Sequence, residues 1–213
     1  MIIYVAFCPY SDAFPLRIEY PIVVIYFSMK IFTSFITIYI VLISLAQADS
    51  WTILERCWDN YLAQPTHENA VKVYQQLPNE ILKKNFLGER LIDKMYESWP
   101  HLSKKIVAGN TDAVQIGFKL YAVVDGAFKE EVGADLGKLI TLNTTLFLQQ
   151  LKKHRQLVQN LEGIVCNYGE AYVDKKDLQI EEKDTRMRLL VNVNDPDLED
   201  VKSECLKALM NDK

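Results

Sequence analysis

Three carboxylates in the second half of this sequence are close enough to do chemistry together. Glu130, Glu131 and Asp135 lie along one flank of a helical stretch, because residues three or four positions apart are neighbours on a helix surface. Paired carboxylates can act as a general acid and a general base. The same residues also fit the solvated face of an amphipathic helix. The pattern therefore leaves two interpretations, a hydrolytic site and an ordinary polar surface.

A second group combines aromatic and acidic side chains just after the end of a helical stretch. Tyrosines at a loop are common anchors in protein interfaces. They can equally be half-buried residues that pack their own loop. We predict a binding surface here, made of Tyr168, Glu170, Tyr172 and Asp174.

The remaining side chains that could act as metal ligands or nucleophiles do not form a known catalytic or metal-binding motif. His67, His101 and His154 have no neighbour at metal-ligand spacing, and the sequence contains no HExxH or CxxC motif. No serine lies in a GxSxG or SxxK motif, so nucleophilic catalysis has no sequence support. We predict no metal site and no cofactor, and we interpret the three histidines as solvated surface residues.

One acidic stretch has oxygen-bearing side chains at alternate positions, as a calcium loop does. It runs from Asn192 to Glu199, but it lacks the central glycine and the final glutamate at the required distance. Asp195 followed by Pro196 also fits the cap and first turn of a helix. We interpret the stretch as the start of the last helix.

The cysteines leave an odd number of thiols once the N-terminal region is set aside. Cys8 lies in that region, which leaves Cys57, Cys166 and Cys205. Disulfides form in exported proteins, and Cys166 and Cys205 both belong to the last third of the chain. We predict a Cys166–Cys205 disulfide and a buried free thiol at Cys57.

The N-terminal region contains the features of a secretory signal peptide. Lys30 precedes an apolar run from Ile31 to Leu45, and the small residues Ala46 and Ala48 fit a cleavage site before Asp49. We therefore predict a signal peptide at residues 29–48 and a periplasmic or secreted protein. Residues 1–28 are interpreted as an upstream extension rather than a folded domain. The alternative is an uncleaved anchor, which would be the protein's one association with a membrane.

Composition limits the classes of protein that remain. The chain has 213 residues, of which 49% are hydrophobic, and a formal net charge of −4. Nucleic-acid-binding domains usually carry a basic face, so this class is not favoured. Residues 49–213 are long enough for one well-buried core, and we predict a single all-α domain there.

The most apolar segment outside the signal region predicts a central helix. Residues 113–124 read AVQIGFKLYAVV, and a helix that is apolar all round is buried all round. The apolar residues before and after it recur at spacings of three and four, which predicts further helices. These predicted helices cover residues 49–62, 66–76, 80–98, 99–108, 111–124, 127–142, 145–154, 156–166, 178–193 and 196–210.

Short antiparallel helices joined by tight turns resemble the helical-repeat superhelices of the HEAT and armadillo type. The resemblance implies a stacked array with an extended binding surface. An irregular globular helical bundle is the alternative architecture. These features favour a non-enzymatic exported protein that binds another protein, such as an inhibitor or an immunity-type protein. The alternative is a cell-envelope hydrolase that uses clustered carboxylates.

Overall fold

The described part of the protein is built from helices. The structure is a computed structural model that describes residues 51–78 and 86–212. Within those ranges it contains no β-strand, so the predicted all-α class is confirmed. The helices are α1 (51–63), α2 (His67–Gln76), α3 (Phe86–Val107), α4 (Thr111–Val123), α5 (Gly126–Leu142), α6 (Thr144–His154), α7 (Glu162–Val165), α8 (Lys176–Val191) and α9 (Glu199–Asn211).

Polar side chains cap the first turns of α2 and α4. The Thr66 hydroxyl accepts a hydrogen bond from the Asn69 backbone N–H at 3.3 Å, at the start of α2. The Asn110 side chain accepts one from the Ala113 backbone N–H at 2.9 Å, at the start of α4. Each cap satisfies a backbone donor that has no partner inside its own helix.

Helix α4 lies in the middle of the core, as its uniformly apolar sequence predicts. Its residues Val114, Phe118 and Leu120 are each 0% exposed. Even Lys119 is buried, with its ammonium group 5.5 Å from the centroid of the Tyr74 ring. The prediction that this helix is hidden from water is confirmed.

The region around Pro100 differs from the prediction. The proline suggested a new helix beginning at Trp99, but α3 runs without interruption from Phe86 to Val107 with Pro100 inside it. A proline in a helix interior removes one backbone hydrogen bond and usually kinks or ends the helix. Here the surrounding side chains are anchored: the Ser98 hydroxyl donates to the Lys94 carbonyl at 2.7 Å and accepts from the Trp58 indole at 2.9 Å. Tertiary packing overrides the local preference.

The stretch predicted as one helix from Gln156 to Cys166 is also broken. A 3₁₀ turn covers Arg155–Leu157, an irregular segment follows, and α7 is only one turn long. The predicted helix from Leu178 to Val193 is present but begins and ends two residues earlier, as α8.

The helices do not stack as successive pairs. In a helical-repeat array each unit touches only its neighbours. Here α5 packs against α3, α4, α6, α7 and α8, and α9 packs against α6, α7 and α8. The HEAT-like superhelix is therefore not confirmed, and the irregular helical bundle describes these contacts.

Several predictions concern residues outside the described ranges. They are the upstream extension at 1–28, the signal peptide at 29–48 and the beginning of the helix near Glu80. None of the helices in the described ranges combines the length and the apolar character that a membrane span needs.

Candidate binding groove

The two predicted sites meet in one cavity. Its volume is about 790 Å³, and it lies between α3, the outer face of α5 and the segment from Glu162 to Val173. We call it the α3–α5 groove. Its lining includes all three carboxylates of the predicted acidic flank and three of the four residues of the predicted binding surface: Glu130, Glu131, Asp135, Tyr168, Glu170 and Tyr172. Asp174, the fourth, is exposed and does not line the groove.

Two glycines of α5 bring it into backbone contact with α7, and a glycine of α7 allows a close side-chain contact. A Cβ atom added at Gly133 would lie 2.3 Å from the Gly163 carbonyl oxygen, and one at Gly137 would lie 2.4 Å from the Ile164 carbonyl oxygen. A Cβ at Gly163 would lie 2.3 Å from the Tyr121 hydroxyl oxygen. Only glycine permits so close an approach of two backbones. The spacing of Gly133 and Gly137 on one face of α5 is a sequence signal that our sequence analysis did not use.

Asp135 forms part of the floor and is fully engaged with protein donors. It is 6% exposed. One carboxylate oxygen accepts a hydrogen bond from the Trp99 indole N–H at 2.9 Å, and the other accepts one from the Lys138 ammonium group at 2.8 Å. A buried carboxylate held in this way joins α3 to α5.

Glu131 lies at the rim and is tied to an exposed tyrosine. The Tyr96 hydroxyl donates to a Glu131 carboxylate oxygen at 2.8 Å. This hydrogen bond to Glu131, together with the charges of Glu131 and Glu170, raises the pKa of Tyr96 above its ordinary value. Of the two carboxylates, Glu131 is the one in direct contact with the Tyr96 hydroxyl.

Tyr168 is a packing residue rather than an exposed anchor. It is 9% exposed, and its hydroxyl donates to an Asp212 carboxylate oxygen at 3.0 Å. Burial and the Asp212 carboxylate raise the pKa of this phenol. Tyr172 is half-buried, 6.2 Å from Tyr168 between ring centroids, and Glu170 between them is exposed. Of the three residues of the predicted surface that line the groove, Tyr172 and Glu170 are therefore the ones that remain open to a partner.

A buried arginine hydrogen-bonds to the backbone of the segment from Glu162 to Val173. Arg186 on α8 is 1% exposed, and its guanidinium lies 4.8 Å from the centroid of the Tyr168 ring. It donates to the Val165 carbonyl at 2.9 Å, the Asn167 carbonyl at 3.1 Å and a Glu182 carboxylate oxygen at 3.0 Å. Sequence periodicity offered no signal for a buried arginine, since arginine is normally a surface residue.

The predicted disulfide is absent. Cys57, Cys166 and Cys205 are all free thiols in the structure, and no disulfide occurs between residues 51 and 78 or 86 and 212. Burial, the largest cause, raises the pKa of Cys166 to about 11 and that of Cys205 to about 12. Both groups are therefore protonated at neutral pH, and a thiol is a poor nucleophile compared with a thiolate.

The histidines fall into two environments. His67 is exposed and its Nδ1 lies 2.8 Å from an Asp112 carboxylate oxygen, and His101 is exposed on α3. His154, predicted to be solvated, is instead 3% exposed. Its ring packs against Tyr74 and Phe118, with centroids 5.6 and 5.7 Å away. The basic last turn of α6 suggested a surface position, but the apolar face of that helix carries this histidine inward.

No arrangement typical of metal binding occurs in the described ranges. Groups of three or more histidine, cysteine, aspartate or glutamate residues that could hold an ion are absent from that part of the chain. In the stretch resembling a calcium loop, an Asp195 carboxylate oxygen accepts from the Asp197 backbone N–H at 2.9 Å. This contact matches the capping interpretation.

In the part of the chain that the structure describes, the fold is all-α and an acidic and aromatic depression lies between two long helices. Comparison with known proteins adds no relative, because no family model, curated protein or solved structure matches the chain.

Proposed function

We propose that this protein is an exported, non-enzymatic helical protein that binds another protein through the α3–α5 groove. An inhibitor or an immunity-type protein of the cell envelope would be one form of this function. The proposal places it in the periplasm or outside the cell, on the basis of the signal-type sequence at residues 29–48.

One observation carries the docking proposal. The groove presents aromatic and acidic side chains on a scaffold in which backbone contacts and a buried arginine fix the floor. Aromatic residues are enriched at protein interfaces. A site that is already ordered loses less conformational entropy when a partner binds. An exposed apolar side chain, Val173 at 59% exposure, extends the same lining.

The alternative function, a hydrolase with clustered carboxylates, has less support from the geometry. A general acid needs a carboxyl group that can reach substrate. Both oxygens of Asp135 are used by Trp99 and Lys138, and Glu131 accepts the hydroxyl of Tyr96. A hydrolase that used Asp135 or Glu131 would require these contacts to open, whereas docking does not require them to change.

A pull-down with a groove-filling variant tests the docking proposal. Ala127 is exposed and lines the groove, so Ala127→Trp adds bulk there without entering the core. Ala63, exposed at the end of α1, provides the control Ala63→Trp. The protein captured from the exported fraction of the source organism should be lost with Ala127→Trp and kept with Ala63→Trp. Equal capture by both variants would contradict docking in the groove.

A further inference from the structure

We propose that the α3–α5 groove receives a peptide segment of the partner that carries a lysine or arginine side chain, placed between Glu131 and Glu170 beside the ring of Tyr96. This proposal rests on the docking function proposed above and adds the chemistry of the partner.

The charges that line the groove are strongly unbalanced. Five carboxylates line it, and Lys138 is the one cation among the lining residues that the structure describes. Lys138 already contacts Asp135 at 2.8 Å. The other four carboxylates are Glu130, Glu131, Glu162 and Glu170. A cleft lined by one sign of charge attracts ligands of the opposite sign and repels those of the same sign.

The aromatic ring beside these carboxylates suits a cation as well. Tyr96 is 41% exposed, and its ring is fixed edge-on against Phe128 with centroids 5.4 Å apart. Its hydroxyl is held by Glu131. A cation near the face of a tyrosine is stabilised by the ring quadrupole, in addition to its attraction to a carboxylate. A packed ring beside a carboxylate, in a groove that Glu170 also lines, suits a single ammonium or guanidinium group.

The size of the depression favours a peptide segment over a lone cation. Its volume of about 790 Å³ exceeds what one lysine or arginine side chain would fill, and two helices and the segment from Glu162 to Val173 line it. The exposed Val173 offers an apolar contact for a side chain next to the cation. A peptide segment with one cationic and one apolar side chain matches both features.

Fluorescence anisotropy with labelled peptides tests this proposal. One probe is a peptide of alternating lysine and glycine, and the other is a matched peptide with glutamate in place of lysine. The double variant Glu131→Gln with Glu170→Gln removes two groove charges and keeps side chains of the same size. The control, Glu89→Gln with Glu97→Gln, removes two charges from exposed positions of α3 that do not line the groove.

The lysine peptide should bind the wild-type protein more tightly than the glutamate peptide, and added salt should weaken it. The groove variant should weaken this binding about tenfold, since exposed ion pairs each contribute modestly. The control should change it by no more than about twofold. Equal loss in both variants, equal binding of both peptides, or dimerisation of the protein through the groove would overturn the proposal.

The same variants distinguish a failure of the docking proposal from a failure of the cationic-segment proposal. If partner capture is lost with Ala127→Trp but persists unchanged with the groove charge variant and at high salt, docking stands and the cationic segment is wrong. If capture also survives Ala127→Trp, the docking function is wrong as well. Circular dichroism of each variant confirms that its helices are intact before binding is compared.

Discussion

The guanidinium of Arg186 lies 4.8 Å from the centre of the Tyr168 ring and is almost completely buried. From this position it donates hydrogen bonds to the carbonyls of Val165 and Asn167, which lie on either side of Cys166. One residue of α8 therefore fixes the backbone and the aromatic ring that form the floor of the α3–α5 groove. The groove therefore depends on a side chain that is itself closed to solvent.

Replacing Arg186 should destabilise the protein strongly. Arg186→Met removes the donor of the buried Val165 carbonyl, the part-buried Asn167 carbonyl and the Glu182 carboxylate, and breaking a buried ion pair from one side costs about 3–5 kcal/mol. The control is Arg188→Met, an exposed position on the same helix, which should change stability by less than about 0.5 kcal/mol. Urea unfolding measures both, and similar midpoints for the two variants would contradict this role of Arg186.

A methyl group at Gly137 should also destabilise the fold. Alanine normally favours a helix interior over glycine by about 1 kcal/mol. At Gly137, however, the added Cβ would lie 2.4 Å from the Ile164 carbonyl oxygen, which belongs to the backbone and cannot rotate away. We expect Gly137→Ala to lose about 1–3 kcal/mol through overpacking. Thermal unfolding measures this, and an unchanged or higher melting temperature would show that α5 and α7 are not in such close contact.

Stability should fall in mild acid because of His154. Burial, with repulsion from Lys153 and Lys119, lowers the pKa of this histidine from 6.5 to about 4. The unfolded state then binds the proton more readily than the folded state. The contribution of the neutral His154 side chain to the free energy of unfolding is fully present above about pH 6.5. It is lost as the pH falls toward 4, where the loss reaches about 3 kcal/mol.

A variant that cannot titrate isolates this effect. His154→Phe keeps an aromatic ring beside Tyr74 and Phe118 and removes the proton-binding group. Denaturant unfolding at pH 7 and pH 4.5 should show a smaller drop in stability for the variant than for the wild type. Parallel pH profiles would place the ring of His154 in contact with water and contradict its burial.

Cys166 and Cys205 should behave as protected free thiols. Burial raises the pKa of Cys166 and Cys205 to about 11 and 12, so both should react slowly with a thiol reagent in the native protein at neutral pH. After unfolding without reductant, a chain beginning at Asp49 should release three reactive thiols. Fewer than three would show that a disulfide forms.

The sequence predicted those features that depend on local composition. A segment with almost no polar residue has no exposed face, so the burial of Val114, Phe118 and their neighbours could be predicted without any knowledge of their partners. The caps at Thr66 and Asn110 are equally local, because each joins a side chain to a backbone N–H three residues further along the chain.

The features that depend on distant partners could not be predicted in this way. Pro100 remains inside α3, which packs against α4 and α5 along its length. His154 is buried by aromatic rings of α2 and α4. The two predicted sites lie far apart in sequence, and the contact of α5 with α7 through Gly133 and Gly163 brings them into one groove. Each outcome is decided by tertiary packing, which local periodicity does not contain.

Site-specific photo-crosslinking from the groove tests the central claim most directly. A photoreactive phenylalanine analogue is placed at Ala171, which is exposed and lines the groove, or at the control position Ala63. Each variant is then mixed with the exported fraction of the source organism and irradiated. Mass spectrometry then identifies the crosslinked peptide. The account predicts an adduct from position 171, absent from position 63, with a partner segment that contains lysine or arginine. No adduct at 171 above the level at 63 would contradict the claim that the α3–α5 groove is a docking site.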